Sequence, residues 1–138
     1  MVAGVYALGL ANYYQGRQAA ALDQFRHLYR LDPHSPSGWT VRHMTARCLY
    51  DLGRHEEALL WANRAVTAPH AKTIAFALQA AAAARTGRIS LAQDIIADVI
   101  RRDPMMTVSY VIGTFGNEFL TDAIEALAEQ LGALGLSD

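Results

Sequence analysis

The stretch YQGRQAAALDQFRHLYRLDP, residues 14–33, contains a spacing of glycine and alanine that recurs twice further along the chain. In this stretch Gly16 is followed five residues later by Ala21, and the segment closes on Pro33. The same glycine-to-alanine interval occurs at two later pairs, Gly53 with Ala58 and Gly87 with Ala92. The three glycines are 37 and then 34 residues apart. Self-similarity at such a period indicates stacked units of supersecondary structure that bury their apolar faces against one another.

Each unit predicts two helices joined by a glycine turn. The residues after Gly16 have the apolar spacing of an amphipathic helix, with Ala21, Leu22, Phe25 and Leu28 on one face. Every one of the three glycines precedes an arginine and can adopt the left-handed conformation that ends a helix without a Cβ clash. The alanine that follows is small enough to lie where the paired helices approach most closely.

The repeated residues resemble those of the tetratricopeptide-repeat family, whose 34-residue unit reads Trp-x-x-Leu-Gly-x-x-Tyr, then Ala-x-x-x-Phe, then Pro. The matching residues are Leu8, Gly9, Ala21, Phe25 and Pro33 in the first unit, Gly53, Ala58 and Ala65 in the second, and Gly87, Ala92 and Pro104 in the third. The resemblance implies an all-α, right-handed superhelix of about three helix pairs, with repeats at approximately 2–35, 39–72 and 73–106. "SLAQ" at 90–93 predicts a capping box at the second helix of the third repeat.

The pattern changes after Pro104. MMTVSYVIGTFGN, residues 105–117, contains β-branched residues and two glycines, which indicate a short or irregular helix followed by a loop. From Asn117 the spacing of Leu120, Ile124, Leu127 and Leu131 predicts one amphipathic helix. Such a helix is typical of the cap that covers the last unit of a solenoid. We therefore expect a single helical-repeat domain over residues 1–138 with its capping helix within 107–138.

The two ends of the chain suggest a larger protein. Helical pattern begins at Val2 without a preceding capping residue, so we expect the chain to be the C-terminal part of something longer. The closing sequence EALAEQLGALGLSD, residues 125–138, resembles the ends of repeat modules in bacterial adenylate-cyclase-like and winged-helix regulatory proteins. That second resemblance implies a bacterial signalling or regulatory context.

Composition excludes several classes of partner. With 12 Lys+Arg against 13 Asp+Glu, the chain lacks the basic field that attracts a phosphate backbone, so we expect no nucleic-acid binding. No segment reaches the roughly 18 apolar residues that span a bilayer, and the N-terminal segment has no basic leader region, so we expect no membrane association. Cys48 is the single cysteine and suits a reducing compartment. These features predict a cytoplasmic protein.

Catalytic and metal-binding patterns are missing from the sequence. The histidines form no His-x-x-x-His pair, and they stand at His27, His34, His43, His55 and His70. There is no Gly-x-x-x-x-Gly-Lys loop and no Gly-x-Ser-x-Gly elbow. We therefore expect no metal, no cofactor and no enzymatic activity.

The family resemblance places a binding site on the first helix of each pair, which lines a concave groove. By position, the groove residues are Tyr6, Leu10, Tyr13, Thr40, His43, Arg47, Tyr50, Ile74, Ala77, Ala81 and Arg85. This surface is aromatic and apolar, so the predicted partner is a peptide or protein, with a hydrophobic segment or helix as the preferred ligand. Self-association into a homo-oligomer is the alternative. Tyr6 and Leu10 could instead pack on the chain's own last helix or on an upstream repeat.

Chaperone C-terminal tails are not expected to bind in this groove. Family members that bind them use lysines and asparagines as a clamp on the terminal carboxylate, and the corresponding positions here are Tyr6, Leu10, Met44, Ile74 and Leu78. Arg47 is the charge nearest the middle of the predicted groove. It is interpreted either as an anchor for an acidic or carbonyl group or as a surface residue that stacks on tyrosines. Trp39 is interpreted as a core residue or as the edge of the groove.

Overall fold

The computed structural model describes residues 2–35, 38–115 and 121–138, and in these ranges the chain forms eight α-helices. Six of them make three successive pairs: α1 (Val2–Tyr14) with α2 (Gln18–Leu31), α3 (Gly38–Asp51) with α4 (His55–Val66), and α5 (Thr73–Arg85) with α6 (Ile89–Arg102). Two more follow, α7 (Val108–Phe115) and α8 (Thr121–Ala133). The predicted all-α class with three helix pairs and a terminal helix is confirmed.

The turns inside the three pairs share one geometry. Gly16, Gly53 and Gly87 have φ of +78°, +78° and +86°, so the predicted left-handed conformation is confirmed. At each turn the glycine N–H donates to the carbonyl three residues back, and the next N–H donates to the carbonyl five back, at 2.8–3.1 Å. These bonds satisfy carbonyl groups that the end of the first helix would leave without partners.

Each second helix begins immediately after the arginine of its turn. The carbonyl groups of Arg17, Arg54 and Arg88 accept hydrogen bonds from the N–H groups of Ala21, Ala58 and Ala92 at 2.9–3.0 Å. None of the three arginine caps makes a side-chain capping bond. The predicted capping box at residues 90–93 is therefore wrong, because the turn already starts α6 at Ile89.

The helices of the first pair touch through Gly9 of α1 and Phe25 of α2. Phe25 is fully buried, and a Cβ added at Gly9 would lie 2.8 Å from Phe25 Cε1. Only a glycine leaves room for the ring at this crossing. The three turn alanines, Ala21, Ala58 and Ala92, are likewise fully buried.

Successive pairs stack in chain order, since α2 packs on α3, α4 packs on α5, and α3 also contacts α5. Arg42 of α3 ties the first two pairs together. Its Nη2 donates to the Pro33 carbonyl and its Nη1 to the Arg64 carbonyl, both at 2.9 Å, and its guanidinium lies over the Tyr29 ring. Arg42 occupies the position at which the family pattern has tryptophan.

The last helix packs against α5 and α7. Leu127 and Leu131 are buried while Glu125 and Glu129 are exposed, as the amphipathic pattern predicts. The part of the predicted helix at 117–120 lies outside the described residues, as do the side chains of 121–124. Beyond α8 the chain returns to α7, whose first N–H groups at Val108 and Ser109 donate to the carbonyls of Ser137 and Asp138.

Candidate functional site

The predicted groove residues lie on α1, α3 and α5, the first helices of the three pairs. The accessible group retains some exposed surface and consists of Tyr6, Leu10, Thr40, Ile74 and Arg85. The enclosed group is buried and consists of Tyr13, His43, Arg47, Tyr50, Ala77 and Ala81. The predicted face is therefore divided, and only the accessible group can contact a ligand without rearrangement.

Tyr6 connects α1 to α3 in the accessible group. Its ring packs edge-on against Phe25, with the centroids 5.8 Å apart. Partial burial raises the pKa of Tyr6, and a hydrogen bond with the Thr40 side chain opposes that shift. Trp39 lies nearby on α3, partly buried, with its ring 6.0 Å from that of His43. The aromatic side chains thus form a partly open, mainly apolar surface that includes the hydroxyl groups of Tyr6 and Thr40.

Arg47 is enclosed, which corrects the expectation of an accessible charge in the groove. Its side chain has no exposed surface, and its Nε donates to both carboxylate oxygens of Asp51 at 3.1 and 3.3 Å. The Asp51 side chain is only 2% exposed. The arginine is therefore one half of a buried ion pair within α3, and its guanidinium is not available to a ligand in this conformation.

Burial controls the ionisation of the groups around this ion pair. It lowers the pKa of His43 to about 3, with the Arg47 charge acting in the same direction. It raises the pKa values of Tyr13 and Cys48. Burial also raises the pKa of Asp51, although Arg47 opposes it by charge and hydrogen bonding. At neutral pH His43 and Cys48 are uncharged, so the enclosed group behaves as a packed core.

A cleft of about 240 Å³ opens at the C-terminal ends of α3 and α5. Its lining residues are Tyr50, Asp51, Gly53, His55, Arg85 and Ala126. Arg85 is exposed; its Nε donates to the Tyr50 hydroxyl at 3.2 Å, and its Nη2 lies 3.5 Å from the Ala126 carbonyl oxygen. The His55 ring lies 5.2 Å from the Tyr50 ring. The cleft combines residues from both helices of a pair and from α8.

Sequence reasoning found two of the cleft residues, Tyr50 and Arg85, and missed the others. Asp51 had a usable signal, because it stands four residues after Arg47 on one helix, the spacing of a favourable ion pair. His55 and Ala126 had none, since they reach the cleft from separate helices.

In the part of the chain that the structure covers, no three His, Cys, Asp or Glu side chains are arranged to hold a metal ion. None of the helices described there is long and apolar enough to cross a membrane.

A family model described as "Tetratricopeptide repeat" matches residues 6–72. The solved structure of the first TPR of Spaghetti (RPAP3) bound to the HSP90 peptide SRMEEVD is similar in fold, with a TM-score of 0.68 and 18% identity over 95% of this chain and 93% of that chain. The first TPR domain of human RPAP3 has a TM-score of 0.66 and 19% identity over 97% of this chain and 94% of that chain. No curated protein matches the sequence. Residues 6–72 of this chain therefore match the tetratricopeptide-repeat family by sequence, and nearly the full length of the chain has the fold of tetratricopeptide-repeat domains.

Proposed function

We propose that the chain is a non-catalytic interaction module that binds a peptide or protein segment in its concave groove. The observation that carries the proposal is the accessible group, in which Tyr6, Leu10, Thr40 and Ile74 keep exposed surface on three stacked helices. The similar structure of Spaghetti (RPAP3) holds a peptide, and this likeness in fold, with the tetratricopeptide-repeat match of residues 6–72, supports a binding role. The module comprises three repeats, at about 2–35, 39–72 and 73–106, and the terminal segment 107–138.

The chemistry of the accessible group favours an apolar ligand. Tyr6, Leu10 and Ile74 offer hydrocarbon and aromatic surface, and the hydroxyl groups of Tyr6 and Thr40 supply polar atoms that can orient a backbone. A hydrophobic segment or an amphipathic helix would gain most by burying its apolar side chains here. The observed distribution of side chains supports this class of partner over a highly charged one.

Chaperone tails are a poorer fit, although the HSP90 peptide is the ligand in the similar structure. At the clamp positions this chain has Tyr6, Leu10, Met44, Ile74 and Leu78, and Met44 and Leu78 are buried. These side chains provide no cation to hold a terminal carboxylate. We expect the peptide SRMEEVD to bind no more tightly than a scrambled peptide of the same composition.

Selection from a random peptide library displayed on phage tests the groove. Selected peptides are measured by calorimetry against the wild type, Leu10→Gln in the groove, and Leu60→Gln, a control on the exposed side of α4. Leu10→Gln should weaken binding by about tenfold or more, as expected for a buried apolar contact at an interface. Leu60→Gln should leave affinity unchanged. Equal affinity for all three proteins would contradict the groove assignment.

Self-association is the second candidate, and one feature of α1 favours it. The exposed residues Gly4, Ala7, Leu8 and Ala11 form an uncharged stripe at helical spacing, and Leu8 is 54% exposed. Small residues allow another helix to approach closely. Size-exclusion chromatography with light scattering distinguishes the two functions, since the favoured one predicts the mass of a single chain. A dimer that Leu8→Gln converts to monomer would establish the second function.

The cellular setting is proposed on the sequence of residues 125–138. Their resemblance to the ends of repeat modules in bacterial regulators supports a role in a bacterial signalling or regulatory protein of the cytoplasm. Cys48, a buried free thiol, is compatible with a reducing compartment. The genomic neighbourhood and the full reading frame test this setting, and a secreted structural protein encoded there would contradict it.

A further inference from the structure

The cleft at the ends of α3 and α5 contains a cation, Arg85, whose described hydrogen bonds go to neutral groups. Arg85 donates to the phenolic oxygen of Tyr50 and lies against the carbonyl of Ala126. Among the carboxylates whose side chains the structure describes, none forms an ion pair with it. By contrast, Arg54 and Arg88 at neighbouring turns pair with Glu57 and Glu56.

The nearest carboxylate is already engaged elsewhere. Asp51 lines the cleft, yet both of its oxygens accept hydrogen bonds from Arg47 Nε, and its side chain is 2% exposed. Because the Arg47 charge offsets that of Asp51, Asp51 offers little net negative charge to Arg85 at the cleft surface. Tyr50 holds the Arg85 guanidinium through Nε, and Nη1, which has no acceptor among the described side chains, can donate.

We propose that this cleft binds a carboxylate group, supplied by an acidic side chain or by the C-terminus of a partner segment, with Arg85 as the principal donor. The proposal rests on the proposed groove function, because the segment that presents the carboxylate would run along the accessible group. A guanidinium binds a carboxylate through a planar fork, and a cleft of about 240 Å³ has room for such a group beside the rings of Tyr50 and His55.

The cleft is separate from the clamp positions, of which Leu78 is the last along the chain. Arg85 follows Leu78 by seven residues on α5, which corresponds to about 10 Å along the helix axis. Among the described lining residues, the other charged or titratable side chains are Asp51, which is paired with Arg47, Tyr50 and His55. Burial and the Arg85 charge lower the pKa of His55, so it is neutral at pH 7 and adds no competing charge. Arg85 is therefore the one cation among the lining residues that the structure describes.

Small carboxylates test the site without a known partner. The probes are N-acetylglutamate α-amide, which carries only a side-chain carboxylate, and N-acetylglycine, which carries only a terminal one. The neutral control is N-acetylglutamine α-amide. Each is titrated at constant pH and ionic strength into the full chain while NMR follows the His55 ring and Arg85 Nε–H signals. The variants are Arg85→Gln, Arg85→Lys and Arg30→Gln, the last an exposed arginine of α2.

We expect at least one of the two carboxylates to cause a saturable shift of the NMR signals. The carboxylate that binds more tightly identifies whether the site prefers a side-chain or a C-terminal carboxylate. Arg85→Gln should weaken that binding by about tenfold or more, Arg85→Lys should restore part of it, and Arg30→Gln should match the wild type. The proposal is overturned if neither carboxylate shifts the signals, if the neutral amide shifts them equally, or if Arg85→Gln binds as the wild type does. If peptide selection fails while small carboxylates bind, the proposed groove function is contradicted and the proposed carboxylate site is retained.

Discussion

Arg47 illustrates how one residue at a groove position can serve the fold instead of a ligand. Its repeat position predicts that it faces the groove, and the structure encloses it completely with Asp51. Removing a charge from water costs several kcal/mol, and the partner's charge and hydrogen bonds offset that cost. Loss of one member would leave the other buried without its counter-charge.

We therefore expect Arg47→Ala to lower the free energy of unfolding by about 3–5 kcal/mol. If Arg47 were instead an accessible anchor in the groove, Arg47→Ala would leave the melting temperature nearly unchanged. Urea denaturation measures the change, with Arg30→Ala as an exposed control that should shift stability by less than about 0.5 kcal/mol. The double variant Arg47→Met with Asp51→Leu should recover much of the loss. An unchanged midpoint in Arg47→Ala would contradict the buried ion pair.

His43 gives the fold a dependence on pH. Its pKa is about 3 in the folded chain and about 6.5 when unfolded. Between these values the unfolded chain binds a proton that the folded chain does not, so stability falls as pH decreases through this window, by up to about 1.4 kcal/mol per pH unit. His43→Gln should remove this slope when denaturation is repeated from pH 6.5 to 4, and the exposed control His34→Gln should retain the wild-type slope. Parallel slopes in the wild type and His43→Gln would refute this assignment.

At the scale of single elements, the sequence predicted what local geometry requires. A chain that reverses direction between two helices within a few residues needs a residue in the left-handed conformation. The Gly-Arg pairs that begin at residues 16, 53 and 87 indicate those positions in the sequence. The environment of α5 could not be predicted in the same way. Its alanines at 75, 77 and 80–84 are at most 8% exposed, and a run of alanine has no periodicity to indicate which faces are covered. The packing of α8 on α5 depends on tertiary contacts that no local pattern encodes.

The contact between α1 and α2 can be tested at two glycines of one helix. Gly9→Ala would place a Cβ 2.8 Å from the buried Phe25 ring, and we expect a loss of about 1–3 kcal/mol in the free energy of unfolding. Gly4→Ala is the matched control, since nothing lies within 4 Å of its added Cβ and alanine has the higher helix propensity. That variant should gain up to about 1 kcal/mol. Equal effects of the two substitutions in thermal denaturation would show that the Phe25 contact does not limit this position.

At the scale of the whole molecule, the repeat register assigns the predicted groove to the first helices of the three pairs, but it could not say which of the predicted residues are accessible. A regular solenoid exposes equivalent positions alike, whereas here Leu10 keeps exposed surface and the equivalent Arg47 and Ala81 do not. The proposed carboxylate site depends even more on the assembled chain, because Ala126 of α8 completes a cleft lined by residues of α3, α4 and α5. Its components are more than 70 residues apart in the sequence.

The terminal segment should therefore be required by the molecule as a whole. Deleting residues 117–138 removes α8 from α5, together with the carbonyls of Ser137 and Asp138 that accept from α7. The newly exposed apolar surface should make the truncated chain aggregate, and any remaining monomer should unfold at a lower denaturant concentration. Deleting only Ser137 and Asp138 is the control, because it keeps α8 and should cost far less stability. Light scattering and urea denaturation of both truncations measure these effects. A longer deletion that stays monomeric and equally stable would show that α8 is not needed for the fold. Its removal would then expose α5, and a helix of a partner would become the better candidate to pack there.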